Sequence, residues 1–179
     1  MKRLGAVLAG GRSSRFGSDK ARTLLAGRAL IDHALAALAP HVEALVVCGR
    51  DWPGVASLPD RPAPGLGPLG GLAAALHHAG ANGFDGVIAT GCDMPVLPHG
   101  LVDRLVGPDA AIVAGHPLIG WWPASLGQDL DHLLAADGSR AIRAFADRVA
   151  ARRIDAAPGT LPNINTPADL AALAQRWPA

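Results

Sequence analysis

The feature that most restricts the fold is a short apolar run, residues 4–8, that stops at Gly10-Gly11 and passes into a basic, glycine-rich segment ending at Lys20. Continuous apolar character over so few residues predicts a strand over 4–9 that is buried on both faces. Gly10, Gly11 and Gly17 alternate with Arg12, Arg15 and Lys20 in the segment that follows. Glycines let a backbone approach a ligand closely, successive N–H groups can cradle an anion, and cations can neutralise it. The spacing is not the dinucleotide pattern G-x-G-x-x-G, and Lys20 lacks the preceding glycine and following Ser or Thr of a P-loop. A phosphate cradle in a nucleotide-handling enzyme is the working expectation, and a basic loop without a ligand is its alternative.

Downstream, strands and helices alternate. Helices are expected over 29–39, 72–78 with a start inside 67–71, 99–106, 125–135, 139–149 and 166–176. Leu30, Ile31, Ala34, Leu35 and Leu38 recur at helical spacing before Pro40, and Thr166 with Pro167 forms a helix start. Strands are expected over 44–48, 55–58, 87–90, 110–114, 118–122 and 152–154, with Gly115-His116-Pro117 short enough for a hairpin-like return. This alternation predicts a Rossmann-like, three-layer α/β fold with a mostly parallel central sheet and helices on both faces. Residues 1–179 read as one domain. The Pro/Gly cluster at 59–71 is read as a site loop, because the stretch before it would make a thin core of its own. Open parallel sheets bind ligands at the carboxyl ends of their strands, where the 8–20 segment, Asp60 and Asp93 all fall.

A formal net charge of +1 offers no long-range field for nucleic acid or an anionic membrane, so neither is expected as a partner. Cys48 and Cys92 lack metal-ligand spacing and fit a reducing compartment. Met1-Lys2-Arg3 before an apolar run imitates a signal peptide faintly, but the run ends at a double glycine, and a cytoplasmic location is expected. His33, His41, His77, His78, His99 and His132 are scattered without forming a metal cluster.

Single residues carry two readings each. Asp93, after an apolar strand and before Met94-Pro95, is either a hard oxygen ligand for Mg²⁺ or an Asx turn cap. Asp60 on its own is ordinary turn chemistry, and residues 67–71 either receive an anion at a helix start or permit close packing. His116 either contacts a ligand from a short loop or is a solvated histidine. Asn163 and Asn165 either anchor the last helix or reach a substrate. Arg140, Arg143, Arg148, Arg152 and Arg153 read as a solvated basic face, with Asp147 placed to pair with Arg143. Trp121-Trp122 should pack at a strand end, with one of them able to lie against a planar ring.

Leu8-Ala9-Gly10-Gly11, Ser13, Arg15, Gly17 and Asp19-Lys20 together resemble the signature of the molybdenum cofactor guanylyltransferase family. Asp60, Gly67-Pro68-Leu69-Gly70-Gly71-Leu72, Cys92-Asp93-Met94-Pro95, His116-Pro117 and Asn163-Ile164-Asn165-Thr166-Pro167 follow in the same order, so the resemblance spans nearly the whole chain. It implies a Mg²⁺-dependent transfer of GMP from GTP to the terminal phosphate of a molybdopterin-type acceptor, with molybdoenzyme-specific chaperones as further partners. It further implies nucleotide binding by Leu8, Ala9, Gly10, Gly11, Lys20, Asp60 and Asp93, catalysis by Arg15, Lys20 and Asp93, and metal binding by Asp93. His116, Asn163 and Asn165 are its acceptor-side residues. Cys48 departs from the asparagine common in this family, which leaves that contact open. Cytidylyltransferase relatives read Leu-Ala-Ala-Gly at the first motif, so the methyl missing at Gly10 points to the larger guanine. The alternatives are a cytidylyltransferase on the same cofactor, another small-molecule nucleotidyltransferase, or a non-catalytic nucleotide-binding module that delivers cofactor to a partner.

Overall fold

The computed structural model describes residues 1–10, 19–136, 138–162, 164 and 166–177. Gly11, Arg15, Asn163 and Asn165 lie outside the described residues. In chain order the elements are β1 (Arg3–Leu8), β2 (Leu24–Leu25), β3 (Arg28–Ala29), α1 (Leu30–Leu38), β4 (Ala44–Cys48), β5 (Ala56–Leu58), α2 (Pro68–Ala81) and β6 (Gly86–Gly91). They continue with α3 (Leu101–Leu105), β7 (Ala111–Val113), β8 (His116–Pro123), α4 (Gly127–Ala135), α5 (Ile142–Arg148), β9 (Arg152–Ile154) and α6 (Pro167–Ala174).

Seven strands form one sheet in the order β5-β4-β1-β6-β8-β7-β9. Pairing is parallel from β5 to β6 and between β7 and β9, while β8 runs antiparallel to both of its neighbours. The mostly parallel sheet expected from the alternation is therefore present, with the hairpin-like return between β7 and β8. Side chains alternate across the sheet as strand geometry requires. Leu4, Ala6 and Leu8 of β1 pack with Leu69, Leu72 and Leu76 of α2, Leu130 of α4 and Phe145 of α5. Val7, Val47 and Ile88 face the other way onto Ile31, Ala34 and Leu38 of α1 and Leu101 and Val102 of α3. Strand β5 before the 59–71 cluster belongs to the sheet, and helix α2 after it packs on β1, β4, β5 and β6 of the same sheet. Among the described residues no helix is long and apolar enough to cross a membrane.

Several local departures have physical causes. Gly100 sits at φ +72°, so α3 begins at Leu101 and not at His99. Ala141 is extended, which delays α5 to Ile142. The hairpin of β2 and β3, unforeseen from the sequence, turns through Ala26 (φ 48°) and Gly27 (φ 76°), the two positive angles that a tight two-residue turn needs. It buries Leu25 and leaves Leu24 exposed. The expected start of α6 is present in full: Thr166 Oγ1 accepts from the Asp169 N–H at 3.1 Å, and Asp169 Oδ2 accepts from the Thr166 N–H at 2.8 Å.

Two expectations for side chains are corrected. Trp121 and Trp122 lie in the interior on opposite faces of the sheet, 1% and 0% exposed, so neither presents a surface to a planar ligand. Trp121 donates to Gly107 O at 2.8 Å, and Trp122 stacks on Phe145 at 5.3 Å. Asp147 pairs with Arg153 of β9 and not with Arg143, because β9 follows α5 closely and brings Arg153 alongside.

Candidate active site

Strands β1 and β6 are hydrogen-bonded neighbours in parallel register, Leu8 beside Gly91, so the segments after them leave the sheet side by side. That edge forms a cleft of about 180 Å³ lined by Leu8, Ala9, Gly10, Asp19, Lys20, Ala21, Arg50, Pro68, Gly91, Cys92, Asp93 and Leu118. Of the residues singled out in the sequence, Leu8, Ala9, Gly10, Lys20 and Asp93 meet here. Lys20 Nζ donates to Asp93 Oδ2 at 2.7 Å, with the side chains 14% and 20% exposed, so the pair is largely withdrawn from water.

Lys20 is set by a short chain of contacts. Residues Lys20–Arg22 form one 3-10 turn capped by Asp19, whose Oδ1 accepts from the Ala21 N–H at 3.2 Å. Arg50, two residues beyond the end of β4, holds Asp19 through Nη1, 2.8 Å from both carboxylate oxygens. The same guanidinium donates from Nε to Ala9 O at 3.0 Å. Arg50 thus ties the end of β1 to the start of the Lys20 turn, and it lines the cleft. The sequence reading missed it. The available signal was its position just past the carboxyl end of a parallel strand.

Asp60 occupies an adjoining hollow of about 360 Å³ lined by Gly49, Arg50, Asp51, Leu58, Pro59, Asp60 and Pro64. Its carboxylate is wedged among glycines. A Cβ on Gly10 would lie 3.1 Å from Asp60 Oδ2 and 3.3 Å from Gly49 Cα, and one on Gly49 would lie 2.5 Å from Gly10 Cα. The expectation that the missing methyl of Gly10 makes room for a larger base is corrected here: that space is filled by Asp60. Oδ1 is buried and has no hydrogen-bond partner among the described residues. Burial pushes the Asp60 carboxyl above its ordinary range, and a backbone hydrogen bond from Gly65 opposes this only in part.

Neither thiol is disposed to react. Cys48 is fully buried with its pKa pushed up to about 12 by burial and by Asp60. Cys92 is also pushed up to about 12, by burial and then by Asp93, with Arg50 and Lys20 pulling the other way. His116 is the first residue of β8 and not part of a loop. It stands opposite Val113 and does not line the cleft, where β8 contributes Leu118. Helix α2 starts where expected, with Gly67 at φ +64° as its cap and Pro68 in its first turn against the cleft.

An open, mostly parallel sheet that gathers two ion pairs, Lys20–Asp93 and Arg50–Asp19, in a cleft at its carboxyl edge has the arrangement of an α/β protein that binds its ligand at the strand ends. Residues 5–152 match the MobA-like NTP transferase domain, and the chain belongs to that family. It is 38% identical to a molybdenum cofactor guanylyltransferase of Rhodobacter capsulatus over 96% of this chain and 94% of that one. It is 34% identical to the Acidiphilium cryptum protein of the same name over 92% and 90% of the two chains. Among solved structures, molybdopterin-guanine dinucleotide biosynthesis protein A from Archaeoglobus fulgidus superposes with a TM-score of 0.78 at 24% identity over 97% of both chains. A CMP:2-keto-3-deoxy-manno-octonic acid synthetase complexed with CTP gives 0.73 at 15% identity over 98% of both, which marks a shared fold.

Proposed function

We propose that the protein transfers GMP from GTP to the terminal phosphate of a molybdopterin-type acceptor and releases pyrophosphate, with residues 1–179 acting as one cytoplasmic nucleotidyltransferase domain. The carrying observation is the Lys20–Asp93 pair at the joined ends of β1 and β6, in a chain related over nearly its whole length to guanylyltransferases. An acceptor phosphate oxygen attacks the α-phosphorus, a P–O bond forms, and the α–β bridging bond breaks with its electrons leaving on pyrophosphate. The attacking phosphate is already ionised near neutral pH, so no general base is needed, and positioning with charge stabilisation carries the rate.

In this reading Lys20 exchanges Asp93 for phosphate oxygens and steadies charge on the α-phosphate and leaving group, joined by Arg15. Leu8, Ala9, Gly10 and Gly11 present backbone groups to the base. Asn163 and Asn165 are acceptor-side residues, His116 joins them from the start of β8 at the same sheet edge as the cleft, and chaperones of individual molybdoenzymes receive the product. Asp93 supplies a hard carboxylate oxygen suited to Mg²⁺. Mg²⁺ takes few protein carboxylates and completes its shell with phosphate oxygens and water. Bound there, Mg²⁺ would neutralise phosphate charge and align the reactants.

Guanine over cytosine is supported by Asp60. A carboxylate only accepts hydrogen bonds, and guanine offers adjacent N1–H and amino donors, whereas cytosine sets its single amino group beside acceptors. In this reading the Asp60 carboxylate, beside Gly10 in the hollow that adjoins the cleft, turns an oxygen to that edge when the nucleotide binds. The test is purified protein with Mg²⁺ and each nucleoside triphosphate, with and without molybdopterin, followed by pyrophosphate release. Acceptor-dependent release from GTP is expected, and a preference for CTP would overturn the guanine assignment.

A further inference from the structure

The cleft at the end of β1 and β6 adjoins the hollow that holds Asp60, and Arg50 lines both. A second cavity of about 570 Å³, within the usual range for small-molecule sites, opens between α1 and α6. Pro95 and Leu97 form one wall, and Pro95 is two residues from Asp93, which keeps their Cα atoms within about 7 Å. His33, Thr160, Arg176 and Trp177 supply its polar and aromatic groups.

These groups suit a flat, heteroatom-rich ring. Trp177 packs edge to face with His33 at 4.9 Å, and His33 Nε2 is fixed against Leu25 O at 2.8 Å, so the indole is braced at the pocket wall. Thr160 Oγ1 donates to Ala157 O at 2.6 Å, which leaves its lone pairs to accept from a ligand N–H. Arg176 adds a cation at the exposed rim and is tied by Nε to Ala172 O at 3.2 Å. An aromatic wall, an acceptor and a cation, one short span from Asp93, match a pterin ring carried on a phosphate arm.

We infer that the cavity between α1 and α6 receives the pterin ring of the acceptor while its terminal phosphate reaches Lys20 and Asp93. This rests on the proposed acceptor chemistry. The test compares KM for molybdopterin and for GTP in wild type, Trp177→Ala, Trp177→Phe and Ala37→Leu, the last placing a larger side chain in the pocket lining. Loss of the indole or filling of the cavity is expected to raise the acceptor KM by roughly tenfold, with the GTP KM unchanged and Trp177→Phe largely restoring it. An unchanged acceptor KM in both Trp177→Ala and Ala37→Leu, or an equal rise for both substrates, overturns the inference while wild-type turnover still supports the function. A variant series that changes only the oligomeric mass would place a second copy of the chain there and overturn it as well. Absence of any acceptor-dependent turnover in the wild type would instead remove the functional reading, and this inference with it.

Discussion

Lys20 and Asp93 come from segments 73 residues apart and close to 2.7 Å in a site where both side chains are mostly shielded from water. A cation and a carboxylate in contact restrain each other until a ligand takes them over. Lys20→Ala and Asp93→Ala are each expected to lower kcat for GMP transfer by about 10²–10³-fold, the loss typical for one group stabilising transition-state charge. Steady-state pyrophosphate release measures this, and full activity in either variant would remove the mechanism.

Gly10 and Gly49 are in backbone contact, but they should differ in tolerance. Alanine at position 10 needs Asp60 to yield by a few tenths of an ångström, whereas alanine at 49 meets Gly10 backbone at 2.5 Å and adopts φ +85°. The left-handed conformation alone costs roughly 1–2 kcal/mol. Gly49→Ala is therefore expected to lose more stability than Gly10→Ala in urea denaturation. Gly10→Ala should chiefly erode the ratio of kcat/KM for GTP over CTP, by displacing Asp60.

The raised pKa of Asp60 sets a direction for stability against pH. The folded chain holds this proton more tightly than the unfolded one, whose ordinary value is 3.8, so stability contributed here falls as pH rises through the folded pKa. Asp60→Asn escapes that loss. Its advantage in unfolding free energy over wild type should be larger at about pH 7 than at about pH 3.5, as read by chemical denaturation, and a pH-independent difference would contradict it.

Arg50 holds Asp19 and Ala9 O together, and lysine cannot reproduce a planar fork reaching both. Arg50→Lys is expected to recover only part of the activity lost in Arg50→Ala. Faster amide exchange at Ala21, whose N–H is capped by Asp19, should accompany both variants. Hydrogen exchange by mass spectrometry checks this, and unaltered exchange would show that Arg50 does not brace the turn.

What could be read in advance was local. Strands β4 and β9 fall where short β-rich runs predict them, and the start of α6 is spelled by Thr166 and Pro167, to which the structure adds Asp169. The strand ends that gather Gly10 and Asp93 follow from alternation and a general property of parallel sheets. The misses depend on long-range partners. Nothing near Arg50 announces a carboxylate 31 residues earlier in the chain. Trp121 and Trp122 end up on opposite faces because strand residues alternate, and both faces of this sheet are covered. Arg143 lost Asp147 because β9 folds back beside α5, which helical spacing cannot register.

The reversed direction of β8 has a consequence for how such a scaffold diversifies. Its amino-terminal end lies at the same edge as the cleft, so the border beyond β6 is a hairpin bend at Gly115 (φ +79°) and not a crossover to a helix. Residues added at that bend need not alter the register of β7 with β8, nor reach the nucleotide half around β1 and β4. Length at a single turn thus offers a dial for reshaping one side of the site while the triphosphate machinery stays as it is.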